Sequence, residues 1–225
     1  MGDSRQTKPV EIAAFDFDGT CISGNSPVIL VSHLVRKGLL GKGTLLRILC
    51  WAAAYKLRLP QNESWVRGAV FSAFEGKKNE YLRDFYDSHL EKLFRAQANE
   101  VIEEHRAAGR EVWAVTATFE PLIQQAMTQH GYTQAFSTRM KIDSDGRYTR
   151  EVEGLPVEGS QKLEVLTREA NARFGKGNWV LTHAYGDHHS DRTLLAAAEH
   201  PFAVTPDRPL RRTARNREWP ILNWR

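Results

Sequence analysis

Apolar positions along this chain follow two different periods. Ile12-Ala13-Ala14-Phe15 is an unbroken apolar run, the pattern of a strand buried on both faces. From Pro27 to Lys37 the spacing becomes helical, with Val28, Leu30, Val31, Leu34 and Val35 apolar and Gly38, Gly41 and Gly43 punctuating the end. Residues 44–57, closed by Pro60, and 62–74, carrying Trp65, Val66, Val70, Phe71 and Phe74, predict two more helices. Residues 79–94 predict a fourth and 96–108 a fifth, stopped by Gly109. From Glu111 strands and helices alternate. Val112-Trp113-Ala114-Val115 reads as a buried strand, Pro121 suits the first turn of the next helix, and 136–142 with 147–152 reads as a hairpin around Ser144-Asp145-Gly146. A helix over 160–174, a strand over 179–185, a short helix over 194–198 and a strand over 202–204 complete the pattern. Such alternation implies right-handed crossovers and a parallel sheet. The expectation is an α/β core over 1–22 and 107–225, interrupted by an all-helical cap over 23–106.

Composition narrows the class without choosing a function. The 225 residues are 41% hydrophobic and 26% charged, ordinary values for a water-soluble globular chain. The two cysteines, Cys21 and Cys50, offer no disulfide framework and fit a reducing cytoplasm. Residues 1–9 are polar and lack the apolar segment of a secretion signal, and the apolar stretch 45–55 is broken by Arg47 and too short to span a bilayer. The net charge of +4 gathers toward the C-terminus at Arg208, Arg211, Arg212, Arg215 and Arg217. This cluster reads as a solvated helix face rather than a nucleic-acid site, and Trp219 and Trp224 read as docking the chain end on the core.

Four sets of polar residues fall at the ends of these elements. Asp16 and Asp18 follow the first apolar run, two residues apart and so on one face of extended backbone, just before Gly19 and Thr20. Carboxylates at the carboxyl end of a strand occupy the usual ligand side of an open α/β sheet. Thr116, directly after Val115 and before Ala117, is either a helix cap or a donor to an oxyanion. Lys162 stands near the start of a helix, against the helix dipole unless it faces an anion. Gly186-Asp187-His188-His189-Ser190-Asp191 closes the last long strand with two more acids. Carboxylates suit a hard cation such as Mg2+, whereas His188 and His189, with His183 nearby, raise a softer ion such as Zn2+. Together they outline phosphoryl transfer: one Asp attacks phosphorus, its neighbour moves protons, and the cation, Lys162 and Thr116 neutralise charge.

Asp16-x-Asp18-Gly19-Thr20, Thr116, Lys162 and Gly186-Asp187-x-x-x-Asp191, in this order, resemble the four motifs of the haloacid dehalogenase superfamily of phosphohydrolases. The position of the insert resembles the phosphoserine-phosphatase-like subfamily, as does Phe202-Ala203-Val204-Thr205-Pro206-Asp207 ahead of Trp219-Pro220. The resemblance implies a Rossmann-like three-layer core and Mg2+ as cofactor. Asp16 would be nucleophile and metal ligand, and Asp18 the general acid/base with its backbone carbonyl on the metal. Thr116, Ala117 and Lys162 would hold the phosphoryl group, Asp187 would ligate Mg2+, and Asp191, Gly19 and Thr20 would support the site. An Asp at the Asp18 position separates the phosphatases from the dehalogenases of the superfamily.

Phosphoserine phosphatases of that subfamily carry a Glu shortly after the nucleophile to pair with the substrate amine, where this chain has Ser23-Gly24-Asn25-Ser26. Asn25, His188 and His189 are then the candidate substrate contacts. The expected partner is a small-molecule phosphate ester, with no nucleic acid and no statement of oligomeric state. One alternative is a lipid-linked phosphate at a membrane surface, because Leu45, Leu46, Ile48, Leu49 and Trp51 among Arg36, Lys37, Lys42 and Arg47 resemble the cap of phosphatidylglycerophosphate phosphatases of this superfamily. The other is a non-catalytic phosphate-binding protein on the same fold.

Overall fold

The structure is a computed structural model, and it describes residues 8–39, 43, 46 and 75–225. Apart from Leu46, the expected helices over 44–57 and 62–74, and with them the apolar cap face, lie outside the described residues.

Among the described residues seven strands form one sheet in the order β4-β3-β2-β1-β5-β6-β7. They are β1 (Val10–Phe15), β2 (Glu111–Phe119), β3 (Gln134–Ile142), β4 (Tyr148–Glu153), β5 (Trp179–Gly186), β6 (His200–Val204) and β7 (Ile221–Leu222). All neighbours run parallel except the β3–β4 hairpin. The apolar runs sit at the centre of the sheet, where both faces are covered. Ala13, Phe15, Val112, Ala114 and Tyr185 point to one layer of helices. Ile12, Ala14, Trp113, Val115, Leu181 and Ala184 point to the other. Leu181 and Ala184 share a face because the β1–β5 register slips at Thr182, whose Oγ1 donates to the Ile12 carbonyl at 3.1 Å.

The first layer holds α3 (Ala96–Ala107) and α4 (Glu120–Gln129); the second holds α5 (Ser160–Phe174), α6 (Arg192–Ala197) and α7 (Arg208–Asn216). Between β1 and α3 the described residues contribute α1 (Ser26–Arg36) and α2 (Asn79–Phe85), whose Leu30, Leu34, Leu82 and Phe85 join the cluster around Phe15 and Phe17. Asn25 starts α1 by accepting the Val28 N–H at 3.1 Å, Pro27 occupies its first turn, and Gly38 leaves it at φ 66.

Two expectations change. The helix expected over 79–94 is not one α-helix: α2 passes into a π segment (Tyr86–Leu90) and a 3-10 turn (Glu91–Leu93). The strand expected to stop at Val115 continues to Phe119, and α4 follows at once with Pro121 in its first turn, as expected. The edge strand β7 had no separate signal, since two residues cannot display a period. Helix α3 lies against the sheet, where His105 Nε2 meets the Tyr185 hydroxyl at 2.9 Å.

His105 is packed edge-on against Phe15 and His183. Burial, then His183 and Arg110, lower its pKa to about 4 from 6.5. The folded pKa lies below the unfolded one, so the contribution is complete above pH 6.5 and is lost as pH falls toward 4. We predict that the chain loses stability over this interval. His105→Gln, which cannot titrate, should remove on the order of 1 kcal/mol of that loss. Urea unfolding of both proteins at either end of the interval measures it, and parallel pH profiles would refute the assignment.

Candidate active site

Chain reversals at the carboxyl ends of β1, β2 and β5 bring the polar residues together. Asp16 and Asp18 lie beyond the last residue of β1, in the turn after Phe15 rather than on the strand as the i, i+2 argument assumed. Their carboxylates meet different partners. The buried Lys162 ammonium, from the first turn of α5, is 2.7 Å from Asp16 Oδ1 and 2.6 Å from Asp191 Oδ1. Burial disfavours this charge, but Asp16 and Asp191 outweigh it and hold the ammonium protonated. Burial also pushes Asp16 above the usual carboxylate range, and Lys162 opposes that rise.

Asp18 is held by neutral donors. It accepts the Ser26 N–H at 2.5 Å, the Ser26 hydroxyl at 2.8 Å and the Thr118 hydroxyl at 2.5 Å. Burial pushes its pKa up to about 6 against these hydrogen bonds. Two neighbouring carboxyl groups thus have unlike environments, the arrangement that separates a nucleophile from a proton carrier.

Thr116 is inside β2, not at a helix start, and its hydroxyl lies 3.1 Å from that of Thr118. It therefore reaches Asp18 only through Thr118. Ala117 lies between the two and is exposed. Thr118 was missed in the sequence because the strand was ended too early. Ser26 was missed because it reads as part of a helix start.

Asp16, Asp187 and Asp191 each bring a carboxylate oxygen within 4.8 Å of the others. Asp191 is thus the third acid of this group, while the Asp18 side chain turns to Ser26 and Thr118. Thr20 donates to Asp187 at 3.2 Å, and burial followed by the charges of Asp16 and Asp191 pushes Asp187 up to about 8. A set of three crowded oxygen donors fits a hard divalent cation. Gly19 permits the approach: at φ 75, a Cβ there would lie 2.1 Å from Asp187 Oδ2. Arg95, also missed in the sequence, donates to the Gly19 carbonyl at 3.4 Å and to the Trp224 carbonyl at 2.6 Å.

The remaining candidates lie around this centre. Asn25 caps α1. His188 and His189 turn toward Asp207, with His189 Nδ1 3.0 Å from Asp207 Oδ2. His183 is elsewhere, on the sheet face with His105 and His200.

The model of the haloacid dehalogenase-like hydrolases matches residues 13–196, which include every polar group of the central site. The chain belongs to that family. It is 25% identical to a histidinol-phosphatase of Neisseria meningitidis over 95% of this chain and 99% of that one. It is 28% identical to a phosphoserine phosphatase of Mycobacterium tuberculosis over all of this chain and 75% of that one. A crystal structure of a Bordetella pertussis protein of unknown function has the same fold, with a TM-score of 0.84, 24% identity, and 96% and 99% of the two chains covered. The expected family and three-layer α/β fold are therefore those of this protein. No helix among the described residues is long and apolar enough to cross a membrane.

Removing the shared ammonium would leave two buried carboxylates facing each other. We predict that Lys162→Met destabilises the fold by ~3–5 kcal/mol, read as a shift in the urea unfolding midpoint. An unchanged midpoint would show that Asp16 and Asp191 do not depend on Lys162.

Proposed function

We propose that this protein is a Mg2+-dependent phosphomonoester hydrolase that works through an aspartyl-phosphate on a small phosphorylated metabolite. The observation that carries this reading is the division of labour between Asp16 and Asp18. Asp16 is ion-paired to Lys162, whereas Asp18 sits among hydroxyl and N–H donors with a pKa of about 6. Family membership and the relatives named as phosphatases support it.

In this mechanism an Asp16 oxygen attacks phosphorus and the ester oxygen departs with its electron pair. Asp18, protonated, gives that oxygen its proton, so the alcohol leaves neutral. Asp18, now ionised, takes a proton from water as that water attacks the phosphorus of the aspartyl-phosphate. Inorganic phosphate is released and Asp16 is restored. Lys162, Thr116 and the backbone around Ala117 hold the phosphoryl oxygens. Asp16 and Asp187, with Asp191 in support and the Asp18 carbonyl, would hold Mg2+. Its chemistry when bound is to neutralise phosphoryl charge beside a carboxylate nucleophile.

Ser23-Gly24-Asn25-Ser26 contains no acid of its own to pair with a substrate ammonium. That argues against copying phosphoserine from the named relative. The inserted lobe is the proposed source of specificity, and the buried thiol of Cys21 accords with a cytoplasmic setting.

Asp16→Asn should abolish Mg2+-supported hydrolysis of an aryl phosphate, and full activity in that variant would end the nucleophile assignment. Asp18→Asn should cost an alkyl phosphate about 100- to 10,000-fold in kcat/KM. It should cost an aryl phosphate with a good leaving group much less, because that oxygen departs without a proton. Equal losses on both substrates would contradict the acid role of Asp18.

A further inference from the structure

No step of the mechanism uses His189 or Asp207, yet these residues and His188 converge on one point. His188 Nε2 lies 3.5 Å, and His189 Nδ1 3.0 Å, from Asp207 Oδ2. All three donor atoms lie within 4.8 Å of one another. A tetrahedral ion with bonds of about 2.0–2.1 Å requires donor separations of about 3.3 Å. The two distances to Asp207 bracket that value, and the two ring nitrogens lie within 4.8 Å of each other.

The donors are also aimed. His188 Nδ1 lies 3.0 Å from the Ser190 hydroxyl, which leaves Nε2 facing Asp207. Asp207 Oδ1 caps α7 by accepting the Leu210 N–H at 2.7 Å, which leaves Oδ2 toward the rings. Such outer contacts fix the orientation of metal ligands. Each of the three side chains is partly exposed, so water can complete the coordination shell.

We propose that His188, His189 and Asp207 form a second metal site, separate from the acidic one, that takes a borderline divalent transition-metal ion such as Zn2+ or Co2+. Two imidazoles and one carboxylate suit that class, whereas the oxygen-only group of Asp16, Asp187 and Asp191 suits a hard ion. Binding at His189 Nδ1 requires the neutral ring with its proton on Nε2, so the ion takes the place of the Nδ1–Asp207 hydrogen bond. The two shells are neighbours through backbone: Asp207 N donates to the Asp187 carbonyl at 2.8 Å, and His188 N donates to Asp191 Oδ2 at 3.2 Å. The proposal does not depend on Asp16 being a nucleophile.

The test is a titration of the metal-stripped full chain with Co2+, followed by its visible absorption, in a large excess of Mg2+ that keeps the hard site filled. One equivalent of Co2+ should bind. His188→Ala and His189→Ala should each weaken it by at least about 10-fold, the loss an outer partner alone produces, and Asp16→Asn should retain it. Wild-type protein without Co2+ absorption, an unchanged titration in the double histidine variant, or absorption lost in Asp16→Asn would each overturn the proposal. Co2+ should also broaden the imidazole proton resonances of His188 and His189 in the wild-type chain, a reading that requires no variant to fold. Sharp resonances after one equivalent would count against the site.

Discussion

One buried ammonium ties this site together. Lys162 comes from the start of α5, Asp16 from the turn after β1, and Asp191 from the 3-10 turn after β5. A charge removed from water is tolerated only when its partners are close and themselves held. Here both lie within 2.7 Å, and Asp191 in turn accepts the His188 N–H. The adjacency of β1 and β5 at the centre of the sheet is thus a condition for Lys162 to be buried at all. The arrangement is a weak source of stability compared with an apolar substitute of equal volume. What it provides is position, because a displaced Asp16 would leave an uncompensated charge inside the protein.

The same constraint separates the two acids after β1. Asp16 is committed to Lys162, so Asp18 must find other partners, and it finds them on two different elements. Thr118 belongs to the core strand β2, whereas Ser26 is the first residue of α1. Both bonds favour the ionised form, yet burial prevails and leaves Asp18 at about 6. A group poised near neutrality can both give and take a proton with little loss in either direction. Ser26 is hydrogen-bonded to the residue proposed to move the proton, so the placement of the α1 start and the chemistry are not independent.

Much of the fold was legible because the buried strands are unbroken apolar runs and the helices carry clear periods. The central acids were legible because Asp16, Asp18 and Asp187 stand where those runs end. The misplacement of Thr116 has a local cause. Beyond Val115 the strand alternates buried Thr116, exposed Ala117 and buried Thr118, and small residues with two hydroxyls look like a loop on composition alone. Ser26 and Asp207 escaped for a related reason. Each sits at a helix start, where an ordinary cap explains the residue type, and Asp207 does cap α7 with one oxygen while presenting the other to His189. Arg95 could not be read at all, since its partners are the backbone of Gly19 and Trp224, remote in sequence. The break from α to π and 3-10 geometry after Phe85 is equally silent, because Tyr86, Leu90 and Leu93 keep a helical apolar spacing through it.

The C-terminal segment shows most clearly how distance along the chain misleads. The arginines of α7 look like an interaction surface when counted by charge. In the fold, α7 buries Leu210 and Ala214 and turns Arg208, Arg212 and Arg215 outward, as a solvated face does. The contacts with the acidic cluster come instead from the residues on either side of α7. Asp207 N bonds the carbonyl of Asp187, the Trp224 carbonyl takes Arg95, and Arg95 reaches Gly19, whose missing Cβ makes room for the Asp187 carboxylate. These contacts close a loop from the last residues of the chain to the first turn of the site. The acidic pocket is therefore walled by both ends of the core, and its shape depends on the C-terminal segment as directly as on the strand that carries Asp16.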